Sequence, residues 1–279
     1  MRKLAVALFA VAACGGGSAT PDAAIVHVID ARAIDAAPPV DVLQPDARQF
    51  DFSCSANTAP TTGAANVTLS GTVTEVGISG MTPTMTPLAD ATVDACKGDC
   101  LAANKLGTMA TNASGAFSIG PLATGGTPLN GYLTMTHTGD RTVQVYPAEP
   151  VRADLVGIPV LTFTPALLGL LAQFGGFTQD PAKGMLIIAV TDCTDQRITD
   201  SAGIALLVKQ GGTDVAGTTT IDLSPAGQMA AGLFLVGNVP VGAATSVGAT
   251  YGGHTLLAHD VGVTAGTTTQ TIVRPGYSN

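Results

Sequence analysis

Tryptophan is absent from the 279 residues, aromatics make up 4% and charged residues 11%, the last less than half the usual share. Basic residues are especially scarce: 12 Lys and Arg against 20 Asp and Glu leave a formal net charge of −8. Nucleic-acid binding draws on clustered Lys and Arg that neutralise phosphates. No such cluster occurs, so nucleic acid is excluded as a partner. Glutamate occurs only at Glu75 and Glu149, and neither lies within four residues of His27, His137, His254 or His259. A hydrolytic zinc centre needs two histidines and a carboxylate on one metal, and nothing in the chain has that spacing. Ser79 in Gly77-Ile-Ser-Gly80 and Ser114 in Asn112-Ala-Ser-Gly115 do not complete a nucleophile elbow. No Gly-rich loop closes on Lys-Ser or Lys-Thr. The chain therefore reads as non-enzymatic, with no cofactor and no metal site. No apolar run reaches the about twenty residues that a membrane-spanning helix needs.

What the chain does contain is 46% hydrophobic residues and 34 glycines, with threonine throughout, a profile of short strands, many turns and β-branched packing. From Val67 onward, candidate strands lie at Val67–Thr74, Ala91–Val93, Leu106–Thr111, Ala116–Ile119, Tyr132–Thr136 and Thr142–Val145. A second run covers Met185–Thr191, Ile204–Lys209, Gly232–Val236, Thr245–Tyr251, Leu256–Val263 and Thr268–Val273. Short strands at even spacing indicate β-sandwiches. Asn112-Ala-Ser-Gly115 reads as a hairpin turn that returns Phe117 to the core. Between the runs, Thr164 caps a helix opened by Pro165 and ended by Gly175-Gly176, with an apolar stripe of Leu167, Leu170, Leu171 and Phe174.

The N-terminus has a different character. Arg2 and Lys3 precede an apolar stretch, Leu4 to Ala13, with the form of a signal peptide, residues 1–13. It ends in Val11-Ala12-Ala13-Cys14, which resembles the lipobox of bacterial lipoproteins. That resemblance implies cleavage before Cys14, lipidation of its thiol, labelling by palmitate and a covalent hold on a membrane. Gly15 after the cysteine, where aspartate is absent, implies delivery to the outer membrane by similarity to enterobacterial lipoproteins. Residues 14–60 then read as a disordered Asp/Ala/Pro-rich linker, in which spaced aspartates repel and prolines remove donors. Ile25, Val26, Val28 and Ile29 form an apolar island within it.

Gly71-Thr-Val-Thr, Pro87-Leu-Ala-Asp-Ala91-Thr-Val93 and Thr111-Asn-Ala-Ser-Gly115-Ala-Phe117-Ser-Ile119 together resemble the carboxypeptidase regulatory-like domain. That family implies a transthyretin-like, Ig-like sandwich over about 67–160, without catalytic chemistry of its own. Ile188-Ala-Val-Thr-Asp192 and Asn238-Val-Pro-Val-Gly242 echo it more weakly. The expected fold class is mainly β. The first sandwich is expected at 61–162, a helical linker at 163–183, and a second sandwich at 184–279.

Setting Cys14 aside leaves Cys54, Cys96, Cys100 and Cys193, an even number that an oxidising compartment can pair. Cys96 and Cys100 are close enough to bridge across a turn, which leaves Cys54 with Cys193; four cysteines allow three connectivities. Asp192, Asp195 and Asp200 crowd one loop and offer the oxygens that Ca²⁺ takes, without EF-hand spacing. Turn aspartates more often bond their own backbone. Sugar stacking would fall to Tyr132, Tyr146, Tyr251 or Tyr277 in the absence of Trp. The expectation is a non-catalytic, lipid-anchored envelope protein making structural or adhesive contacts with an envelope protein or extracellular polysaccharide. The alternative is a carbohydrate-binding surface module.

Overall fold

The computed structural model describes residues 50–278 apart from residues 81, 227–229 and 243. The signal peptide, Cys14, the apolar island and the linker up to residue 49 lie outside the described residues.

Among the described residues the chain is mainly β, with sixteen strands and one α-helix. The N-terminal half contributes β1 (Asn66–Ser79), β2 (Thr82–Pro87), β3 (Thr92–Cys96), β4 (Lys105–Ala110), β5 (Ala116–Ala123), β6 (Tyr132–Thr136), β7 (Val143–Tyr146) and β8 (Leu155–Phe163). After helix α1 (Pro165–Phe174) come β9 (Gly184–Val190), β10 (Ile204–Gln210), β11 (Thr213–Asp214), β12 (Thr219–Asp222), β13 (Leu233–Val239), β14 (Thr245–Tyr251), β15 (His254–Val261) and β16 (Thr268–Val273).

Alternation along β1 turns Val67, Leu69 and Val73 inward, as a strand with one buried face requires. They meet Val93, Ala95, Leu133, Met135 and Val143 in a first core. At the hairpin before Phe117, the Asn112 carboxamide oxygen accepts from the backbone N–H of Ser114 and of Ala116. Gly115 there has φ of 72°, and a Cβ on it would press on the carbonyl of Val73, so the position suits glycine alone. A second core joins Leu186, Ile188 and Val190 of β9 to Val236, Val247, Ala249 and Leu256. The opposite face of β9 offers Met185 and Ile187 to a third cluster with Leu235, Leu223 and Leu168 of α1. Strand β9 is thus buried on both faces, which is why it reads as one apolar run.

Helix α1 begins as its sequence predicts, with the Thr164 hydroxyl accepting from the N–H of Leu167 at 3.3 Å. The predicted stripe is rotated, however. Leu168 and Ala172 are the buried pair, Leu167 and Leu171 pack beside them, and Phe174 is 77% exposed. Phe177, just past the helix, lies in the third cluster instead, and its ring lies against Gly237 where any Cβ would collide.

The boundary expected between 162 and 184 does not interrupt the sheet. Four strands, β2, β1, β5 and β8, form one layer, and β11-β10-β14-β15 form another. Both pack against a single eight-stranded sheet, in the order β12-β13-β9-β16-β7-β6-β3-β4. Strand β16 pairs parallel with β9 on one side and with β7 on the other, so the two halves are joined edge to edge within one compact unit.

A second departure concerns residues 50–60, which the sequence assigns to the disordered linker. Residues 50–57 of this stretch are docked on the body: Cys54 is buried in a short 3₁₀ turn, Ser53–Ala56, and Phe50 and Phe52 pack against the second core. Two aromatic rings and a disulfide offset the entropy of ordering this segment.

Strand β16 is polar yet central. Thr268, Thr269, Gln270 and Thr271 are all buried, and such groups persist inside only when hydrogen-bonded. Thr269 donates to the carbonyl of Gly262 at 2.9 Å. Gln270 pairs with the backbone of Leu161 on β8 through both ends of its amide, accepting from the N–H at 3.1 Å and donating to the carbonyl. A Gln270→Ala change leaves both backbone groups of Leu161 without that partner. We expect a loss of about 2 kcal/mol, read as a lower urea midpoint with an unchanged slope.

Candidate functional site at the N-terminal strap

Residues 50–57 cross the C-terminal half as a strap, and buried Asp192 and Arg274 lie beside it. Strand β9 ends at Val190, and Thr191 still pairs with β16 by donating to the carbonyl of Val273. Asp192 follows and is 2% exposed. One of its oxygens accepts from the Thr194 N–H at 2.9 Å, the Thr194 hydroxyl at 2.8 Å and the Gln196 N–H at 3.0 Å. The other accepts from the N–H of Asp51 in the strap at 3.1 Å. Burial pushes this carboxyl up, but the donors from Asp51, Thr194 and Gln196 prevail and hold it below the ordinary aspartate value. Asp192 thus shapes its own loop and clasps the strap.

Next to it, Cys193 donates its N–H to the carbonyl of Asp51 at 2.8 Å and forms a disulfide with Cys54, with Cα atoms 5.7 Å apart. Arg274, just past β16, is 5% exposed. Its guanidinium donates to the Cys193 carbonyl at 2.9 Å and to the Ser278 hydroxyl at 2.8 Å, and pairs with Asp195 at 3.3 Å. The Asn57 carboxamide donates to the Tyr277 carbonyl at 2.8 Å. Strap, β9–β10 loop and C-terminal segment are thereby fastened at one place. Phe52 extends the contact by stacking on His254 at 4.2 Å and on Tyr251 at 6.0 Å, while Phe50 meets Tyr251 edge-on at 5.7 Å.

The three loop aspartates do not converge. Asp192 binds backbone, Asp195 pairs with Arg274, and Asp200 accepts from the Tyr251 hydroxyl at 3.3 Å. Among the described residues no three His, Cys, Asp or Glu side chains are grouped to hold a metal ion. The tyrosines named for sugar stacking are engaged with other rings in three of four cases: Tyr132 and Tyr146 stack on each other at 4.7 Å, and Tyr251 lies between Phe50 and Phe52. Burial pushes the Tyr146 phenol up to about 12, so it does not titrate near neutrality. His254 is stacked under Phe52. His259 meets the Thr271 hydroxyl at 2.6 Å, and burial holds its imidazole below the usual value, against the opposing pull of Asp260.

Cys96 and Cys100 form the second disulfide, within the β3–β4 connection. Both pairs therefore follow the connectivity favoured by proximity in sequence. Cys14 lies outside the described residues. Arg274, Phe50 and Phe52 went unmarked in the sequence; the available signal was two phenylalanines spaced i, i+2 immediately before Cys54 in an aromatic-poor chain.

No family model and no curated protein matches the chain. Among solved structures, the shaft pilin SpaA of Lactobacillus rhamnosus GG is 12% identical at a TM-score of 0.23, with 75% of this chain and 98% of that one covered. A fimbrial protein of Bacteroides ovatus ATCC 8483 is 11% identical at a TM-score of 0.23, covering 76% of this chain and 49% of that one. A marsupial T cell receptor is 9% identical at 0.18, covering 73% and 97%. Likeness of that degree assigns neither activity nor ligand.

The Cys54–Cys193 bridge closes a loop of 139 residues, which chain entropy values at about 5 kcal/mol. Replacing both cysteines by serine is expected to lower the thermal midpoint and to expose the strap to protease while the rest of the body stays resistant. An unchanged midpoint together with a protected strap would show that the aromatic and Asp192 contacts hold it unaided.

Proposed function

We propose that the protein is a non-catalytic, lipid-anchored component of a bacterial cell envelope, held through Cys14 to the outer membrane and displaying its β-sandwich layers for structural or adhesive contacts. The observation that carries this reading is the fastening of the strap. A chain arriving from an anchor at Cys14 through an acidic linker meets the folded body at a covalent bond, Cys54–Cys193, reinforced by Asp192 and the Phe52 stack. Disulfides suit a compartment outside the reducing cytosol. Among the described residues no helix is long and apolar enough to cross a membrane, and the lipobox resemblance at Cys14 supports a covalent lipid as the hold. The polar side chains at the junction are engaged with backbone and with one another, an arrangement that fixes structure and presents no nucleophile with a base beside it. The resemblance of 67–160 to carboxypeptidase regulatory-like domains supports the same reading. A contact with an envelope protein or an extracellular polysaccharide is the work proposed for the displayed surface. The carbohydrate-binding alternative draws less support, since three of the four tyrosines already stack on other rings.

Cys14→Ser is expected to abolish palmitate labelling and membrane retention, measured by fractionation of the producing cells. Labelling that persists in this variant would show the anchor to be elsewhere. A soluble chain beginning at Arg48, which keeps the strap, is expected to give no saturable binding on a glycan panel; binding lost on a Tyr→Ala change would favour the carbohydrate module instead.

A further inference from the structure

The disulfide fixes where a pull on the strap enters the fold. Cys54 is bonded to Cys193, just beyond Val190 at the C-terminal end of β9. Strand β9 is hydrogen-bonded along both edges, to β13 and to β16, and is covered on both faces. Arg274, leading out of β16, donates to the Cys193 carbonyl at 2.9 Å, so two neighbouring strands brace the load point. The ladder continues from β16 into β7, with Thr268 opposite Met185 on one side and Val143 on the other. These three strands run parallel. Their C-terminal ends point towards Cys193, and their N-terminal ends form the opposite pole. The β6–β7 turn lies at that pole, closed by the Asp140 N–H donating to the His137 carbonyl at 3.2 Å, and Thr138 in it is exposed.

We propose that the body is a load-bearing unit, carrying tension from the Cys54–Cys193 bond to the β6–β7 pole through β9, β16 and β7 in shear. Bonds in a parallel ladder are evenly spaced. A pull on the C-terminal end of β9 against the N-terminal end of β7 slides the strands along one another, so the bonds of both ladders share the load and fail together. A pull on two C-terminal ends, those of β9 and β16, parts the same bonds one after another. The polar side chains of β16 oppose sliding as well. Gln270 is held to the Leu161 backbone, Thr269 to the Gly262 carbonyl and Thr271 to the Tyr146 carbonyl. A slip of β16 would leave these buried groups without partners, which an apolar strand would not suffer. The proposal rests on the adhesive reading for the source of the tension. The resistance itself belongs to the folded body and is measured without lipid or partner, so either reading can fail alone.

The test is single-molecule force spectroscopy of the oxidised chain from Arg48, held at its N-terminus and at an azide-bearing residue in place of Thr138. The comparison is the same chain held at its N-terminus and C-terminus, at one loading rate. Because a sheared parallel ladder shares its load, the pole-to-pole rupture force is expected to exceed the end-to-end force by at least about twofold. A third attachment moves the first handle to Thr61, exposed and past Cys54, with the disulfide intact. The load then reaches β1, whose layer meets the large sheet through side-chain packing and not through a ladder. The rupture force against position 138 is expected to fall below that measured from the N-terminus. A pole-to-pole force no higher than the end-to-end force would overturn the proposal. So would an undiminished force from the Thr61 handle, since the disulfide would then add nothing to the load path.

Discussion

The parallel pairing of β16 with β7 is the constraint on which the rest of this structure depends. Thr268 to Thr271 run beside Val143 to Tyr146 on one edge, and Thr268 to Val273 beside Met185 to Val190 on the other. The last strand of the chain therefore lies between the two halves and hydrogen-bonds to both. Its side chains add to the join. Gln270 reaches across to Leu161 in the opposing layer, and Thr271 donates to the carbonyl of Tyr146 at 3.3 Å. Polar residues in a buried central strand are costly unless every group finds a partner, and partners fixed in position also fix the register.

The same strand leads into the strap junction. Past Val273, Arg274 is drawn to the Cys193 carbonyl, so β16, the β9–β10 loop and the strap share one network. The covalent topology has a mechanical consequence. A force entering along the strap passes from Cys54 to Cys193 at the end of β9, bypassing β1 to β8, all of which lie within the disulfide-closed loop. The N-terminal sandwich layer is then sheltered from tension applied along the strap.

The sequence discloses local features more readily than distant ones. β6, β14 and β16 fall at the residues their apolar and β-branched patterns predict, and Thr164-Pro165 opens α1 as expected. β2 and β8 escape because Pro83, Pro87, Gly157 and Pro159 disguise them as loops. Both pair along β1, and proline is tolerated where a strand lies at a sheet edge. The helix stripe is misread since α1 is apolar on nearly every side, so periodicity cannot select a face, and Phe177 displaces Phe174 from the core. The strap is mistaken for linker because the Asp/Ala/Pro composition runs into it without a break. Joining of the halves is illegible for a deeper reason: the partners of Thr268 lie at Val143 and Met185, and no local pattern encodes a pairing that distant. Of the site, the two disulfides are within reach by elimination, whereas Arg274 looks like any other isolated arginine until burial singles it out.

If β16 makes one cooperative body of the two halves, that body should unfold as one. Scanning calorimetry of the oxidised chain from Arg48 is the most direct measurement. A single transition is predicted, with calorimetric and van't Hoff enthalpies in agreement, as two-state unfolding requires. Two resolved transitions, or a calorimetric enthalpy well above the van't Hoff value, would contradict it and restore a picture of two independent modules.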